Sequence, residues 1–300
     1  MTQSQYPLPV GDPALLARVR ALHLVARRLV AGLHTGSHLA ARRGYEAEFL
    51  GYQPYVPPHP LKDVDWRAYA RNDRLVIRER RAERDLECVL VLDASADLGS
   101  TPGKWRQALE VTAALACAVL ANGDPVGLRI GAGVGMTDRV IPARRARGQL
   151  ARILMALASV QPAGRAELAT LFSDVGERVH GRTLVGLVSD FMEDPAAWSG
   201  SLSALARRHV DLRAVQVYDR AELSLGEDEP ARLISPETGG RFPVDPAAIR
   251  PAFAAVVATW RAEVRAAFVA QRALLWTLAA QDSAVPTVAG WLRAQPEVTA

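Results

Sequence analysis

From residue 87 onward, apolar runs of two kinds alternate along the chain. Glu87-Cys-Val-Leu-Val-Leu-Asp93 is a continuous apolar run closed by a carboxylate, the pattern of a strand buried on both faces of a parallel sheet. Lys104 to Ala121 repeats its apolar residues at helical spacing and then becomes apolar all round. Pro125 to Gly131 predicts a second strand and Arg139 to Pro142 a short edge strand. Helices follow over Gly148 to Val160 and Glu167 to Val179, then an apolar strand, Thr183 to Asp190, again ending in Asp. Ala196 to His209 predicts a helix, Asp211 to Tyr218 a strand, Pro246 to Gln271 a long helix, Ala273 to Ala279 a strand, and Pro286 to Arg293 a last helix. This alternation predicts an α/β fold: a doubly wound, mostly parallel sheet with helices on both faces.

The first 87 residues do not share that rhythm. Ala14 to Gly32 predicts a helix, with Leu15, Leu16, Val19, Leu22, Val25 and Val30 mostly on one stripe. His34 to Pro60 is rich in Tyr, Pro and Gly and reads as ordered loop with short strands. Asp65-Trp66-Arg67 follows, with Trp66 expected to anchor against a core and Asp65 to pair with Arg67 or Arg71. The run Arg78 to Glu87 mixes both signs and reads as a solvated face. The expected division is an N-terminal helix and irregular segment over residues 1–87 and a sheet domain over residues 88–300.

Composition narrows the class. With 49% hydrophobic and 23% charged residues, the 300-residue chain is ordinary globular protein. Two cysteines, Cys88 and Cys117, lie in apolar runs and read as buried free thiols, as in a reducing compartment. The net charge is +4, but no zinc-finger spacing or RNP-type aromatic motif accompanies it, so no nucleic-acid partner is expected. Of the 36 basic residues only Lys62 and Lys104 are lysines. The longest apolar stretch, Val111 to Ala121, is well short of the ~20 residues a membrane span needs. Met1 to Pro13 shows no basic–apolar leader pattern. A cytoplasmic location without membrane insertion is the expectation.

Candidate chemistry centres on Asp93 and Asp190, each closing an apolar strand. In an open parallel sheet, ligands gather outside the carboxyl ends of the strands, where strand order reverses. Leu92-Asp93-Ala94-Ser95-Ala96-Asp97 and Ser189-Asp190 offer carboxylate and hydroxyl oxygens, which suit Mg2+ or a similar divalent cation. The plainer alternative is that both aspartates cap following helices. Asp190-Phe-Met-Glu193-Asp194 raises a metal-dependent phosphatase of the haloacid dehalogenase type as the rival class, yet Ser95 stands where that chemistry needs a second acid. No G-x-x-x-x-G-K-[ST] and no G-x-S-x-G occurs. The glycines at 127, 131, 133 and 135 fit a hairpin bend better than a nucleotide loop; His23, His34, His180 and His209 lack metal-ligand spacing, His38 is expected to be structural, and His59, among prolines, exposed.

Asp93-Ala-Ser95-Ala-Asp97 resembles the first element, D-x-S-x-S, of a von Willebrand factor A metal site, and Asp190 resembles its late Asp. Upstream, Gly36-Ser-His38, Gly44, Glu48-Phe49, Tyr55, Asp65-Trp66, Ala70-Arg71 and Leu75-Val76 follow the order and spacing of the bacterial DUF58 family. Ser235-Pro-Glu-Thr-Gly239 is similar to that family's D-P-E-T-G. The resemblance implies a von Willebrand factor A-like sheet and a metal site of Asp93, Ser95, Asp97 and Asp190. It assigns family-signature roles to Gly36, His38, Glu48, Phe49, Tyr55, Asp65, Trp66 and Arg71. It further implies a non-enzymatic adaptor that acts with a MoxR-type AAA+ ATPase on a client protein, as in methanol dehydrogenase maturation. In such a site a partner's carboxylate completes the metal's shell. Departures are Glu46 for Gly, Gln53 for Arg, Pro57-Pro58-His59-Pro60 for P-G-D-D, Lys62 for Arg, and Asp97 for the second Ser. Gly164-Arg165-Ala166 stands where a G-x-T supplies a threonine ligand.

Overall fold

The structure, a computed structural model, describes residues 13–35, 49–56, 64–80, 86–131, 139–165, 167–179, 183–225, 231–234 and 239–294. The chain forms two compact units, residues 38–85 and residues 1–37 with 86–300. This differs from the expected boundary at 87. Helix α1 (Pro13–Thr35) packs on helices of the sheet domain, where its apolar stripe buries Leu22 and Ala26.

In the smaller unit, β1 (Phe49–Pro54) pairs antiparallel with β2 (Val76–Arg80), and α2 (Trp66–Asn72) lies between them in sequence. The start of the mixed-charge run is therefore strand. Asp65 begins α2 by accepting the Ala68 N–H at 3.1 Å. That cap turns Val64 and Ala68 inward and leaves Trp66 56% exposed, its ring edge-on to Tyr69, so Trp66 is no core anchor.

The larger unit carries β3 (Glu87–Asp93), α3 (Pro102–Ala121), β4 (Val126–Gly131), β5 (Arg139–Arg144), α4 (Gln149–Ser159) and α5 (Leu168–Arg178). β6 (Thr183–Ser189), α6 (Pro195–Ala206), β7 (Asp211–Tyr218), a hairpin of β8 (Ala231–Ile234) and β9 (Arg241–Val244), α7 (Pro246–Ala270), β10 (Leu274–Ala279) and α8 (Val285–Arg293) complete it. Six strands form one sheet in the order β10-β7-β6-β3-β4-β5, parallel except for the edge strand β5. The expected doubly wound, mostly parallel sheet is present. The unpredicted hairpin is too short for its periodicity to be read.

The chain enters at β3 in the centre, runs outward through β4 and β5, then returns to β6 on the other side of β3. The switch point thus falls between β3 and β6, where both strands end in the acidic segments. Helices α1, α3, α4 and α8 pack with one another, and α5, α6 and α7 form a second group. Alternation along β3 serves both layers: Val91 joins the core under α5 to α7, while Leu90 faces Gly186 and Trp291 of α8. Near Phe172, Phe191, Trp198 and Phe268 the core is aromatic, with ring centroids 5.1 to 6.0 Å apart. Cys88 is buried and Cys117 only partly so, both as free thiols.

Gly127 marks where β5 meets β4. A Cβ there would lie 2.7 Å from the Ile141 carbonyl oxygen and 2.8 Å from the Ala143 nitrogen, at an irregularity in the strand register. Backbone cannot yield as a flexible side-chain tip can. Gly127→Ala is expected to cost about 1–3 kcal/mol and to speed amide exchange in β5 more than in β6. Unchanged exchange in β5 would contradict this placement.

Candidate functional site

Three strand ends converge at the carboxyl edge of the sheet, the place where the crevice of an open parallel sheet lies. Asp93 ends β3, and the loop behind it is pinned from two sides: Ala94 N–H donates to the Gly131 carbonyl at 2.9 Å, and Ala96 N–H to the Gly164 carbonyl at 2.9 Å. Asp190 follows β6. Past β7, Asp219 and Glu222 form a capping box on a single 3-10 turn, Arg220–Leu223.

Asp93 is 3% exposed. Its Oδ1 accepts the Ser95 N–H at 2.9 Å, and its Oδ2 accepts the Ser189 hydroxyl at 2.7 Å and the Ser95 hydroxyl at 3.3 Å. Ser189 in turn accepts the Phe191 N–H at 2.9 Å. Asp190 Oδ1 accepts the Met192 N–H at 3.1 Å. Asp97 is half-buried at the rim, and its carbonyl accepts the Ser100 N–H in the turn that leads into α3.

The residue that dominates the site is one that sequence reasoning did not select. Lys104, in the first turn of α3, is fully buried, and its ammonium lies 2.8 Å from Asp190 Oδ2 and 2.6 Å from Glu222 Oε1. Its third neighbour is the Ser100 hydroxyl at 3.5 Å. A compact ammonium with three donors suits three acceptors converging from different elements; a planar guanidinium does not. Around it, Ser100 donates to Glu222 at 2.7 Å, Thr101 to Asp219 at 3.0 Å, and Gln281 to Asp219 at 2.6 Å. The one available signal was compositional: a lone lysine in an apolar helix, in a chain that otherwise writes its positive charge as arginine.

Electrostatics follows from burial. Burial lowers a lysine, but Asp190 and Glu222 more than reverse this and hold Lys104 above its usual value. Burial raises Asp190 while the Lys104 ammonium pulls it back. Burial and the nearby Asp190 carboxylate push Asp93 up to about 7. Burial and Asp190 also raise Asp97. The Ala221 N–H, with Gln281 and Thr101, holds Asp219 below the ordinary range.

Because the folded Asp93 binds its proton more tightly than the unfolded one, its stabilising contribution is full below the usual 3.8 and is lost as pH rises to about 7. Asp93→Asn removes that loss at the expense of one acceptor oxygen. A gain of about 1–2 kcal/mol is expected near pH 8, shrinking towards pH 5, in denaturant titrations. A variant weaker than wild type at the higher pH would contradict it.

As folded, the four expected metal residues do not fit a divalent ion. A resident ammonium already sits against Asp190, and Asp93 is occupied by two hydroxyls and a backbone N–H. The loop that would bring a threonine carries Ala166 instead, itself outside the described residues. Among the described residues, no three His, Cys, Asp or Glu side chains are grouped to hold a metal.

The neighbouring acids serve structure. Glu193 accepts the Leu168 N–H at the start of α5 at 2.9 Å, and Asp194 caps α6 through the Ala196 N–H at 2.9 Å. Of the family-signature residues, Gly36, His38 and Glu48 lie outside the described residues. In the smaller unit, Phe49 opens β1, Tyr55 donates its N–H to the Leu75 carbonyl at 2.9 Å, Asp65 caps α2, and Trp66 and Arg71 are exposed on it.

No helix among the described residues is long and apolar enough to cross a membrane. The chain is 32% identical over 263 residues to Uncharacterized protein Rv1480 of Mycobacterium tuberculosis and to Uncharacterized protein Mb1516 of Mycobacterium bovis, covering 85% of this chain and 81% of each relative. Among solved structures, BatB from Bacteroides thetaiotaomicron superposes with a TM-score of 0.43 at 13% identity, over 69% of this chain and 97% of that one. The SpRpn10 VWA domain gives a TM-score of 0.41 at 8% identity, over 68% and 93%. The family model described as "Protein of unknown function DUF58" matches residues 51–263. The chain is a member of the DUF58 family, built on a doubly wound, mostly parallel α/β sheet.

Proposed function

We propose that this chain is a non-enzymatic recognition module of the cytoplasm. In this reading it works beside a MoxR-type AAA+ ATPase in the maturation, activation or cofactor insertion of a client protein. The observation that carries the non-enzymatic part is the state of the crevice. Asp93 is engaged by Ser95 and Ser189, Asp190 by Lys104, and Glu193 and Asp194 by helix ends. Ser95 stands where a phosphatase of the haloacid dehalogenase type needs its second acid, so Asp93 has no acid/base partner two residues on. A pinned crevice at a topological switch point remains a shaped surface that a partner can read. The ATPase half of the reading rests on DUF58 membership and the family resemblance, and the chain has no P-loop of its own.

The test is binding of the purified chain to a purified MoxR-type ATPase from the same organism. Wild type is expected to bind. Asp97→Arg, which reverses charge at the rim, is expected to stay folded and lose binding. Equal binding by both proteins, or Mg2+-dependent phosphoester hydrolysis by the chain alone, would count against the proposal.

A further inference from the structure

We infer that Lys104 is the built-in cation of this crevice, standing in for the divalent ion that the Asp93, Ser95 and Asp190 pattern would otherwise hold. Three features of the fold carry this. The ammonium is fully buried within 2.8 Å of Asp190, the late acid of the pattern. It is also bound by Glu222, which is brought in from the end of β7 by a capping box and has no counterpart in that pattern. Lastly, the pattern lacks a ligand that a divalent ion would need: Ala166 stands in place of the threonine and has no hydroxyl.

A divalent ion needs about six oxygen ligands and tolerates no ammonium among them. A lysine needs only two or three acceptors, and those are supplied. Thr101 fixes the arrangement by accepting the Lys104 N–H at 3.3 Å and donating to Asp219, so the first turn of α3 and the end of β7 are held together around the charge. The inference deepens the recognition reading and rests on it for one consequence only. With the cation supplied from within, no coordination position stays open for a partner's carboxylate, so recognition uses the crevice's shape and rim.

The experiment uses the pure chain and Mn2+ and Mg2+ as probes, without a partner, so its failure is separate from failure of the ATPase reading. Wild type is expected to give no binding heat with either ion, and no change in melting midpoint between EDTA and Mn2+. Lys104→Ala is expected to melt lower in EDTA, to recover part of that loss in Mn2+, and to gain Mn2+ binding that Lys104→Ala/Asp190→Ala lacks. Binding heat in wild type that disappears in Asp190→Ala would overturn the inference. A folded Lys104→Ala that ignores Mn2+ would overturn it too, because the vacated place would not be a cation position. Should Lys104→Ala fail to fold, the wild-type titration alone decides.

Discussion

Lys104→Met is expected to destabilise the chain by about 3–5 kcal/mol, the cost of removing one partner from a buried ion pair. The apolar stem is preserved, so the loss reports on charge rather than on packing. Asp190, 3% exposed, and Glu222, 17% exposed, would then share one corner of the fold with no cation between them. Either the carboxylates repel or one of them must take a proton. The deficit is therefore expected to be larger near neutral pH than in mild acid, where protonation relieves it. Lys104→Arg should recover little, since the guanidinium is broader than the space between Asp190, Glu222 and Ser100. Denaturant titrations check both variants. A cost below about 1 kcal/mol, the size typical of exposed pairs, would mean that solvent reaches the pair.

Phe191→Ala is the second large effect, about 3–5 kcal/mol. Phe191 is fully buried and immediately follows Asp190. Its ring lies 5.1 Å from that of Phe268 and 5.9 Å from that of Trp198. Its backbone is held at both ends, the N–H by Ser189 and the carbonyl by the Trp260 indole N–H at 3.0 Å. The residue has φ of 55°, a left-handed conformation that a side chain adopts at a cost. Ring packing sustains that conformation and with it the direction of Asp190. Alanine loses the packing and keeps the strain; glycine loses the packing and relieves the strain. Phe191→Gly is accordingly expected to be no less stable than Phe191→Ala, an unusual order for a buried site. Thermal and denaturant melts of the pair check it, and a clearly weaker glycine variant would contradict the strained-anchor account.

Much of the sheet was legible because burial on both faces leaves a plain mark. β3 and β6 have unbroken apolar interiors, that of β7 is apolar apart from Arg213 and Gln216, and the helices between them carry period and caps: Thr101 and Asp194 lie directly before α3 and α6. The smaller elements were not legible. α2 has seven residues, and β8 and β9 have four each, too few to show a period. The exposure of Trp66 follows from a cap three residues long, which decides a helix's facing more finely than residue type does.

At the site, sequence placed Asp93 and Asp190 at the ends of two strands of one sheet, because strand termini follow from apolar run lengths; that β3 and β6 are neighbours is seen only in the fold. It could not place Lys104 or Glu222. Their meeting spans 118 residues of sequence and depends on which way the first turn of α3 and the turn after β7 face. A motif such as D-x-S-x-D describes what one loop offers. It is silent about a cation supplied by another element, and that cation changes what the loop can bind.

The most direct measurement is a crystal structure from crystals grown in Mn2+, with an anomalous difference map over the crevice. The account predicts the Lys104 ammonium between Asp190 and Glu222 and no anomalous peak beside Asp93. A manganese peak ligated by Asp93, Ser95 and Asp190, with Lys104 turned away, would contradict it.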